Sequence, residues 1–255
     1  MSLKNNATTD SYNSAVGPYS VSKQNSGGDL GTNSIVSGAI ELKNNSVVNG
    51  DIIVGVGGAS TVVDADQNAV YGIIEAENVP FPDTPAIPPT GTSLGNINVP
   101  NKGNVTINPG IYSNLNIGGK STLNLNAGSY VFNNISGSQN ITINALTKPV
   151  VIYFTGSVDL TNNVTINNNG IPKDLIFLGT STATSFNFKN NAVSFFGLYA
   201  PTADIVFENN GELYGSFVGK TMIAENNTDI HFDRNMNVNI PGLPAYVTVD
   251  KISRW

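Results

Sequence analysis

The sequence contains no cysteine, which excludes disulfide bonds, thiolate metal sites and a cysteine nucleophile. It has a single histidine, His231, so a zinc site built from several histidines is excluded as well. No run of 18 apolar residues occurs, and no membrane-spanning helix is predicted. Lysine and arginine total only 12 and form no cluster, while the net charge is −6. Since phosphate backbones attract basic surfaces, nucleic acid is not an expected partner.

Charged residues make up only 12% of the chain, about half of the usual share. The polarity comes instead from 38 asparagines, together with 26 glycines and many serines and threonines. Asparagine and glycine tolerate the left-handed backbone of tight turns and are poor helix formers. Hydrophobic residues reach 40%, enough for a continuous core. This composition predicts an all-β domain with frequent turns.

A pair of asparagines followed by an alternating strand recurs along the chain. The last three pairs are 19 and 17 residues apart, a spacing that suits one coil of a stacked β-structure. The pairs are Asn44-Asn45, Asn162-Asn163, Asn190-Asn191, Asn209-Asn210 and Asn226-Asn227.

Between the pairs, apolar and polar residues alternate strictly, as in 104–108 (NVTIN) and 122–126 (TLNLN). Such strands bury one face, and asparagines at matching turns can form hydrogen-bonded ladders. We therefore predict a single-stranded right-handed parallel β-helix, a solenoid with coils of about 17–19 residues. A β-sandwich is the alternative, but it gives no reason for Asn-Asn to recur at the same phase of each strand.

Differences in local composition predict that the chain consists of distinct segments. Residues 1–30 are polar and rich in glycine and serine, which predicts a lead-in or a loosely docked cap. The β-helix is expected over 31–240, interrupted at 79–91 by a proline-rich segment that should run extended along the outside and join an early part to the main stack. Residues 241–255 are expected to cap an open end.

Several short phrases, in order, resemble the β-helical C-terminal domain of bacterial surface proteins whose N-terminal segment is PilX-like and serves type IV pilus assembly. The resemblance covers nearly the whole chain. It implies an extracellular or cell-envelope protein, with any membrane contact made through an anchor upstream of residue 1, and it carries no catalytic residues. The phrases are Asp10-Ser11-Tyr12, Gly17-Pro18-Tyr19, Gly28-Asp29, Thr32-Asn33-Ser34, Asn49-Gly50-Asp51, Val54-Gly55-Val56-Gly57-Gly58, Tyr199-Ala200-Pro201, Tyr214-Gly215-Ser216 and Ile230-His231-Phe232-Asp233.

Aligning the last coils on their asparagine pairs gathers the reactive side chains. Glu212 falls over Asp229, Tyr214 over His231, and Ser216 over Asp233. The alternation turns these residues outward, and neighbouring carboxylates can raise each other's pKa for acid/base chemistry. If the protein is an enzyme, the candidate catalytic residues are Glu212, Asp229, His231 and Asp233. As a binding patch, the candidates are Phe195, Tyr214 and His231.

Three functions remain open at this point. The favoured one is a non-enzymatic, adhesin-like or pilus-associated scaffold, without metal or cofactor, that presents a flat face to a polysaccharide or a surface protein. The second is a polysaccharide lyase or glycoside hydrolase, although the only nearby cation, Arg234, should lie inward or in a turn. The third is self-association through an uncapped end.

Overall fold

The computed structural model describes residues 1–77, 85–190 and 193–236. Within these ranges the chain is all-β, and none of its helices is long and apolar enough to cross a membrane. Three single-turn 3-10 helices are present, Val21–Lys23, Ser60–Val62 and Pro172–Asp174. The strands are β1 (Ser2–Lys4), β2 (Thr8–Tyr12), β3 (Leu30–Gly31), β4 (Ile40–Lys43), β5 (Val47–Val48), β6 (Ile52–Val54), β7 (Val63–Ala65), β8 (Ile74–Ala76), β9 (Ile97–Val99), β10 (Asn104–Ile107), β11 (Gly110–Ile111), β12 (Asn114–Ile117), β13 (Thr122–Leu125), β14 (Gly128–Phe132), β15 (Asn134–Ser138), β16 (Ile141–Ala145), β17 (Val150–Phe154), β18 (Ser157–Thr161), β19 (Val164–Ile166), β20 (Leu175–Gly179), β21 (Ser185–Lys189), β22 (Val193–Glu208), β23 (Glu212–Glu225) and β24 (Asp229–Asp233).

These strands pair in parallel and form sheets of 17, four and three strands. Parallel pairing between successive repeats confirms the predicted all-β class. The repeat length is less regular than predicted, because side chains that bond between neighbouring repeats lie 17, 18, 19, 20, 23 and 28 residues apart. The range of 17–19 residues is therefore too narrow. The 28-residue repeat includes the Pro172–Asp174 helical turn, and the repeat between Asn5 and Asn44 is longer still, at 39 residues.

The strands fall into three columns, defined here by their pairing. The first column runs β9, β12, β15, β18, β21, the second halves of β22 and β23, then β1, β4 and β7. The second holds the four-stranded sheet β10–β13–β16–β19 and, beyond it, the beginnings of β22 and β23, then β24, β2 and β5. The third holds β11, β14, β17, β20 and the middles of β22 and β23, and separately β3, β6 and β8.

The N-terminus lies inside the stack, which corrects the prediction that residues 1–30 form a lead-in or cap. β1 pairs on one side with β23 and on the other with β4, and β2 lies between β24 and β5. Leu3 and Ala7 are fully buried in the core. Residues 2–12 thus form one repeat of the stack, and the prediction fails because it treated a polar composition as a sign of loose packing.

The asparagine pairs within the described residues occupy left-handed turns, as predicted; Asn191 lies outside those residues. Asn226 and Asn227 have φ of 58° and 57°, and Asn5 and Asn6 have φ of 56° and 61°. Their side-chain amides form ladders: Asn226 Nδ2 donates to Asn209 Oδ1 at 2.9 Å, and Asn5 Nδ2 donates to Asn226 Oδ1 at 2.7 Å. A ladder of amides satisfies donors and acceptors without placing like charges above one another.

One hydrophobic core is shared by all three sheets. It contains fully buried phenylalanines, with Phe177 packed edge-on against Phe186 and Phe196 at centroid distances of 5.3 and 5.6 Å. The burial of each phenylalanine side chain away from water stabilises the folded state by about 1.5–3 kcal/mol. The core therefore ties together repeats whose strands pair only with those of the adjacent repeats in the stack.

A second, smaller apolar cluster lies on the outward side of the third column. Val151, Tyr153, Ile176 and Leu178 belong to it, and Ala86 packs against them. The Ala86 backbone N–H donates to Gly179 O at 3.2 Å. Ala86, in the predicted proline-rich segment, therefore contacts this outer side. Residues 79–84 of that segment and the predicted capping tail, 241–255, lie outside the described residues.

Candidate functional site

The second column brings the predicted site residues together. The structure pairs Glu212 with Asp229, Tyr214 with His231, and Phe195 with Tyr214. On the far side of β24, the first repeat of the chain continues the same rows, with Asp10 beside His231. The asparagine phasing therefore predicts these registers correctly within the C-terminal repeats and misses the strand that completes the site.

The aromatic rings of this column form a continuous stack. Phe195 and Tyr214 lie 4.5 Å apart between ring centroids with an interplanar angle of 13°, and Tyr214 and His231 lie 4.5 Å apart at 26°. Tyr19, from the segment that follows β2, covers His231 at 4.1 Å and meets Tyr214 edge-on at 5.3 Å. Tyr12 also contacts Tyr214, at 5.7 Å. These rings form a closed aromatic cluster.

Asp10 is the centre of the polar network in this site. His231 Nδ1 donates to its Oδ1 at 2.7 Å, while Tyr19 Oη and Gln24 Nε2 donate to its Oδ2 at 2.8 and 2.6 Å. The sequence carries a signal for Asp10 that the alignment omits. Asn5-Asn6 is a further asparagine pair, and Asp10 follows Asn5 at the same distance at which His231 follows Asn226.

The site is closed to solvent, which corrects the prediction of an accessible outward face. Asp10, Tyr214 and His231 are only 3%, 5% and 6% exposed. Leu213 and Ile230 do point into the core, as the alternation predicts. However, the segment 13–27 lies across the outward side and buries it. Consequently Tyr214 and His231 are not the exposed binding platform that the sequence suggests, and Phe195 is left only half-buried at the margin.

Asp233 is also enclosed. It is fully buried, and its Oδ1 accepts the backbone N–H groups of Ser14 at 2.9 Å and Asn235 at 3.0 Å. Its Oδ2 and the hydroxyl of Tyr12 are buried without a hydrogen-bond partner in the described residues. Burial, and after it the negative charge of Asp233, raises the pKa of Tyr12 far above its usual range. Asp233 therefore holds the turn after β24 rather than facing a substrate.

The two remaining carboxylates are held by hydroxyl groups. Tyr214 Oη donates to Glu212 Oε1, and Thr8 Oγ1 donates to Asp229 Oδ1 at 2.5 Å. Burial raises the pKa of Tyr214 strongly, and the hydrogen bond to Glu212 adds to this effect. Arg234 lies exposed in the turn that follows β24. In the described ranges, no three His, Asp or Glu side chains converge to hold a metal ion.

A second candidate surface is the outward face of the sheet β10–β13–β16–β19. Its inward residues belong to the core, while its outward residues carry only hydroxyl and amide groups. Neighbouring amides are linked in a row: Asn124 Nδ2 donates to Asn104 Oδ1 at 2.8 Å, and Asn144 Nδ2 donates to Asn124 Oδ1 at 3.2 Å. We call this surface the Asn/Thr grid; it comprises Asn104, Thr106, Thr122, Asn124, Thr142, Asn144 and Thr165.

The comparison with known families concerns both candidate sites. Residues 89–239, more than half of the chain, match the family described as a domain of unknown function, DUF7305. The chain belongs to this family. No curated protein and no solved structure matches the chain significantly. The DUF7305 match begins before β9 and includes β24, so it contains the whole Asn/Thr grid.

The DUF7305 match contains only some of the residues that form the buried site. Phe195, Tyr214 and His231 lie inside it, whereas Asp10 and Tyr19, which close the site, lie outside it. The buried cluster is thus a junction between the DUF7305 repeats and the N-terminal repeats of the same chain.

Proposed function

We propose that this protein is a non-catalytic surface scaffold that binds a neutral polysaccharide on its Asn/Thr grid. The observation that carries the proposal is the chemistry of the grid: four adjacent strands whose outward side chains are all uncharged hydroxyls and amides. Strands about 4.8 Å apart repeat these groups at regular intervals. A regular, flat, neutral array suits a polymer with repeating hydroxyl groups better than a small molecule, which requires a deep pocket.

The hydrogen-bonding capacity of the grid supports this role. Each asparagine amide has two N–H donors, and the row of amides uses one of them between neighbours. The other N–H and the threonine hydroxyls can bond to sugar hydroxyls. The row also fixes the rotamers of the amides before a ligand arrives, which lowers the entropic cost of binding.

We also propose that the three columns close into a single-stranded right-handed parallel β-helix. Such a helix would give the grid a rigid support. The shared core and the parallel pairing at each repeat support closure. Right-handedness is expected because parallel crossover connections are right-handed in roughly 98% of cases.

The absence of catalysis is proposed because the four candidate catalytic residues already have partners within the protein. His231 is bonded to Asp10 under a cover of Tyr19, and Asp233 is buried beneath Ser14. Acid/base catalysis needs a group within hydrogen-bonding reach of the substrate, directly or through one water. A cluster whose members already bond to one another within the protein serves instead to join the first repeat to the last one described.

We also propose an extracellular or cell-envelope location in a bacterium. The resemblance to the domain that follows PilX-like segments supports it, as do a composition poor in charge and an extended β-architecture. Pilus association is part of this proposal, and labelling of intact cells with an antibody against the folded protein tests the location. Labelling only after lysis would contradict it.

A binding assay tests the function. Wild-type protein should be retained by at least one insoluble neutral polysaccharide in a panel, and Thr122→Glu with Thr142→Glu should weaken retention about tenfold or more, equivalent to about 1.4 kcal/mol. Carboxylates at these positions remove two hydroxyl contacts, and their bound water must be removed before a neutral sugar can lie on the grid. The control is Ser136→Glu, which places one such carboxylate on an exposed strand position of β15 in the first column, and it is compared with each single variant, Thr122→Glu and Thr142→Glu, as well as with the double variant.

Three outcomes would contradict the proposal. The first is a panel without retention, and the second is equal retention of all variants. The third is release of new sugar ends from any polysaccharide by the wild-type protein, lost in Glu212→Gln and Asp229→Asn. That result would establish the lyase or hydrolase instead.

A further inference from the structure

The sequence of residues 85–147 is almost free of formal charge. This part of the chain contains the strands β9 to β16, and its charged residues are two lysines, Lys102 and Lys120. Its share of charged residues is thus far below the 12% of the whole chain. Because the surroundings of the two lysines are neutral, their positions in the fold decide where positive charge is available.

The fold brings the two lysines to equivalent turns of neighbouring repeats. Lys102 lies two residues before Asn104, the first residue of β10, and Lys120 lies two residues before Thr122, the first residue of β13. Asn104 pairs with Thr122, and the Lys102 backbone N–H donates to Gly119 O at 2.9 Å. The two turns are therefore one strand spacing apart, about 4.8 Å. Both lysines are exposed, and neither forms an ion pair in the part of the chain that the structure describes.

The lysines occupy a turn position that later repeats give to asparagine. Lys102 and Lys120 both have φ of 59°, in the left-handed region. At the same corner, the next two repeats carry Asn140 and Asn163, and Asn163 Nδ2 donates to Asn140 Oδ1 at 3.0 Å. Asparagine adopts this backbone more readily than lysine does, and like charges directly above one another repel. Residues that break local rules at such a cost are expected where they have a function.

We propose that Lys102 and Lys120 together bind an anionic group, a carboxylate or a phosphate, carried by the polysaccharide on the Asn/Thr grid. The inference rests on the proposed function, because the grid holds the neutral part of the polymer, and it narrows the ligand to a sparsely charged chain. Two ammonium groups on turns one strand spacing apart can contact a single anion between them. The anion then offsets the repulsion between the two lysines, which favours binding.

The position of the lysines at the margin of the grid determines which polymer fits. The grid carries hydroxyl and amide groups, and the two cations stand at the start of two of its four strands. A polymer charged on every sugar would find partners for few of its charges, and the net charge of −6 would repel it. A chain with an occasional anionic substituent can instead place that group at the lysines and its hydroxyls on the grid.

Retention on one polysaccharide in three forms tests the lysine site. Cellulose, lightly substituted carboxymethyl cellulose and lightly substituted phosphocellulose present the same sugar chain without charge, with carboxylates and with phosphates. Wild-type protein should be retained about tenfold more strongly on at least one anionic form than on cellulose, and this preference should disappear between about 0.01 M and about 1 M salt. Lys102→Gln with Lys120→Gln should bind all three forms equally. The charge-matched control, Lys173→Gln with Lys220→Gln, should keep the preference.

Three results would overturn the inference. The first is a wild-type protein without preference for either anionic form. The second is a preference that survives in Lys102→Gln with Lys120→Gln, and the third is an equal loss of preference in the charge-matched control. Retention on cellulose reports on the grid, whereas the excess retention on an anionic form reports on the lysines. The failure of this inference can therefore be told from the failure of the proposed function.

Acetylation of lysines, read by mass spectrometry, locates the bound anion on the wild-type protein. Lys102 and Lys120 are exposed and should react readily in the free protein. Soluble carboxymethyl cellulose or soluble phosphorylated cellulose, whichever form gave the preference, should slow their acetylation. Lys173 and Lys220 are internal controls and should react at the same rate with and without the polymer. Equal rates at Lys102 and Lys120 in the two conditions would place the anion elsewhere and overturn the assignment.

Discussion

Replacement of Asp10 by alanine tests whether the buried junction holds the first and last repeats together. The substitution removes the acceptor of three donors, from His231, Tyr19 and Gln24. Gln24 is exposed and Tyr19 is half-buried, so both can bond to water at little cost. The His231 ring is buried, and an unsatisfied buried donor costs about 1–3 kcal/mol. With the loss of the Asp10 contacts themselves, we expect the free energy of unfolding to fall by about 2–4 kcal/mol.

Urea denaturation followed by far-ultraviolet circular dichroism measures this change. Asp159→Ala is the control, since Asp159 is an exposed carboxylate on β18 and its loss should change stability by less than about 0.5 kcal/mol. A cycle with His231→Ala should show a coupling energy of about 1 kcal/mol or more between the two residues. If Asp10→Ala is as stable as Asp159→Ala, the junction does not hold the repeats together and this reasoning is refuted.

Three further predictions concern single groups. Above about pH 10 the free energy of unfolding should fall by roughly 1.4 kcal/mol per pH unit for each of Tyr12 and Tyr214. The reason is that their pKa values are raised in the folded protein, so only the unfolded chain ionises them in this range. Denaturation between pH 8 and 11.5 measures this fall, and a profile that stays flat above pH 10 contradicts it. Asn226→Ala should lower the free energy of unfolding by about 1–2 kcal/mol, and Asn226→Gly should lower it less, because glycine tolerates the positive φ and lacks only the ladder bonds. Equal losses of stability in the two variants would mean that the left-handed turn contributes nothing. His231, the only histidine, should react slowly with diethyl pyrocarbonate and much faster in Tyr19→Ala, as followed at 240 nm; fast reaction in the wild type would mean that the cover is open.

The registers of the C-terminal repeats could be predicted because asparagine marks the turns physically. A pair of residues at positive φ fixes the phase of the strand that follows, so aligning Asn209 with Asn226 also aligns Tyr214 with His231. The same rule applies to Asn5, which would have placed Asp10 in the same row. Local patterns thus contain the phase of each repeat that carries an asparagine pair.

The order of the repeats and the exposure of their side chains could not be predicted in the same way. Which repeat packs on which is decided by contacts between residues far apart in sequence, such as Asp10 and His231, and no local pattern encodes that choice. Alternation likewise tells which side of a strand faces outward, but not whether another segment covers it. Residues 13–27 carry little hydrophobic signal, so the burial of His231 beneath Tyr19 has no local indicator.

The position of β1 and β2 within the stack has a consequence for folding. Their partners on one side, β23 and β24, are 221 positions away in the sequence and are the last strands described. During synthesis, one edge of β1 and β2 therefore stays unpaired until residues 221 positions later in the chain have emerged. Contacts of such long separation slow folding, and an unpaired edge exposes the chain to aggregation. The pairing of β1 and β2 with β23 and β24 joins the early and late repeats in one stack, and a chain cut short before β23 cannot form it.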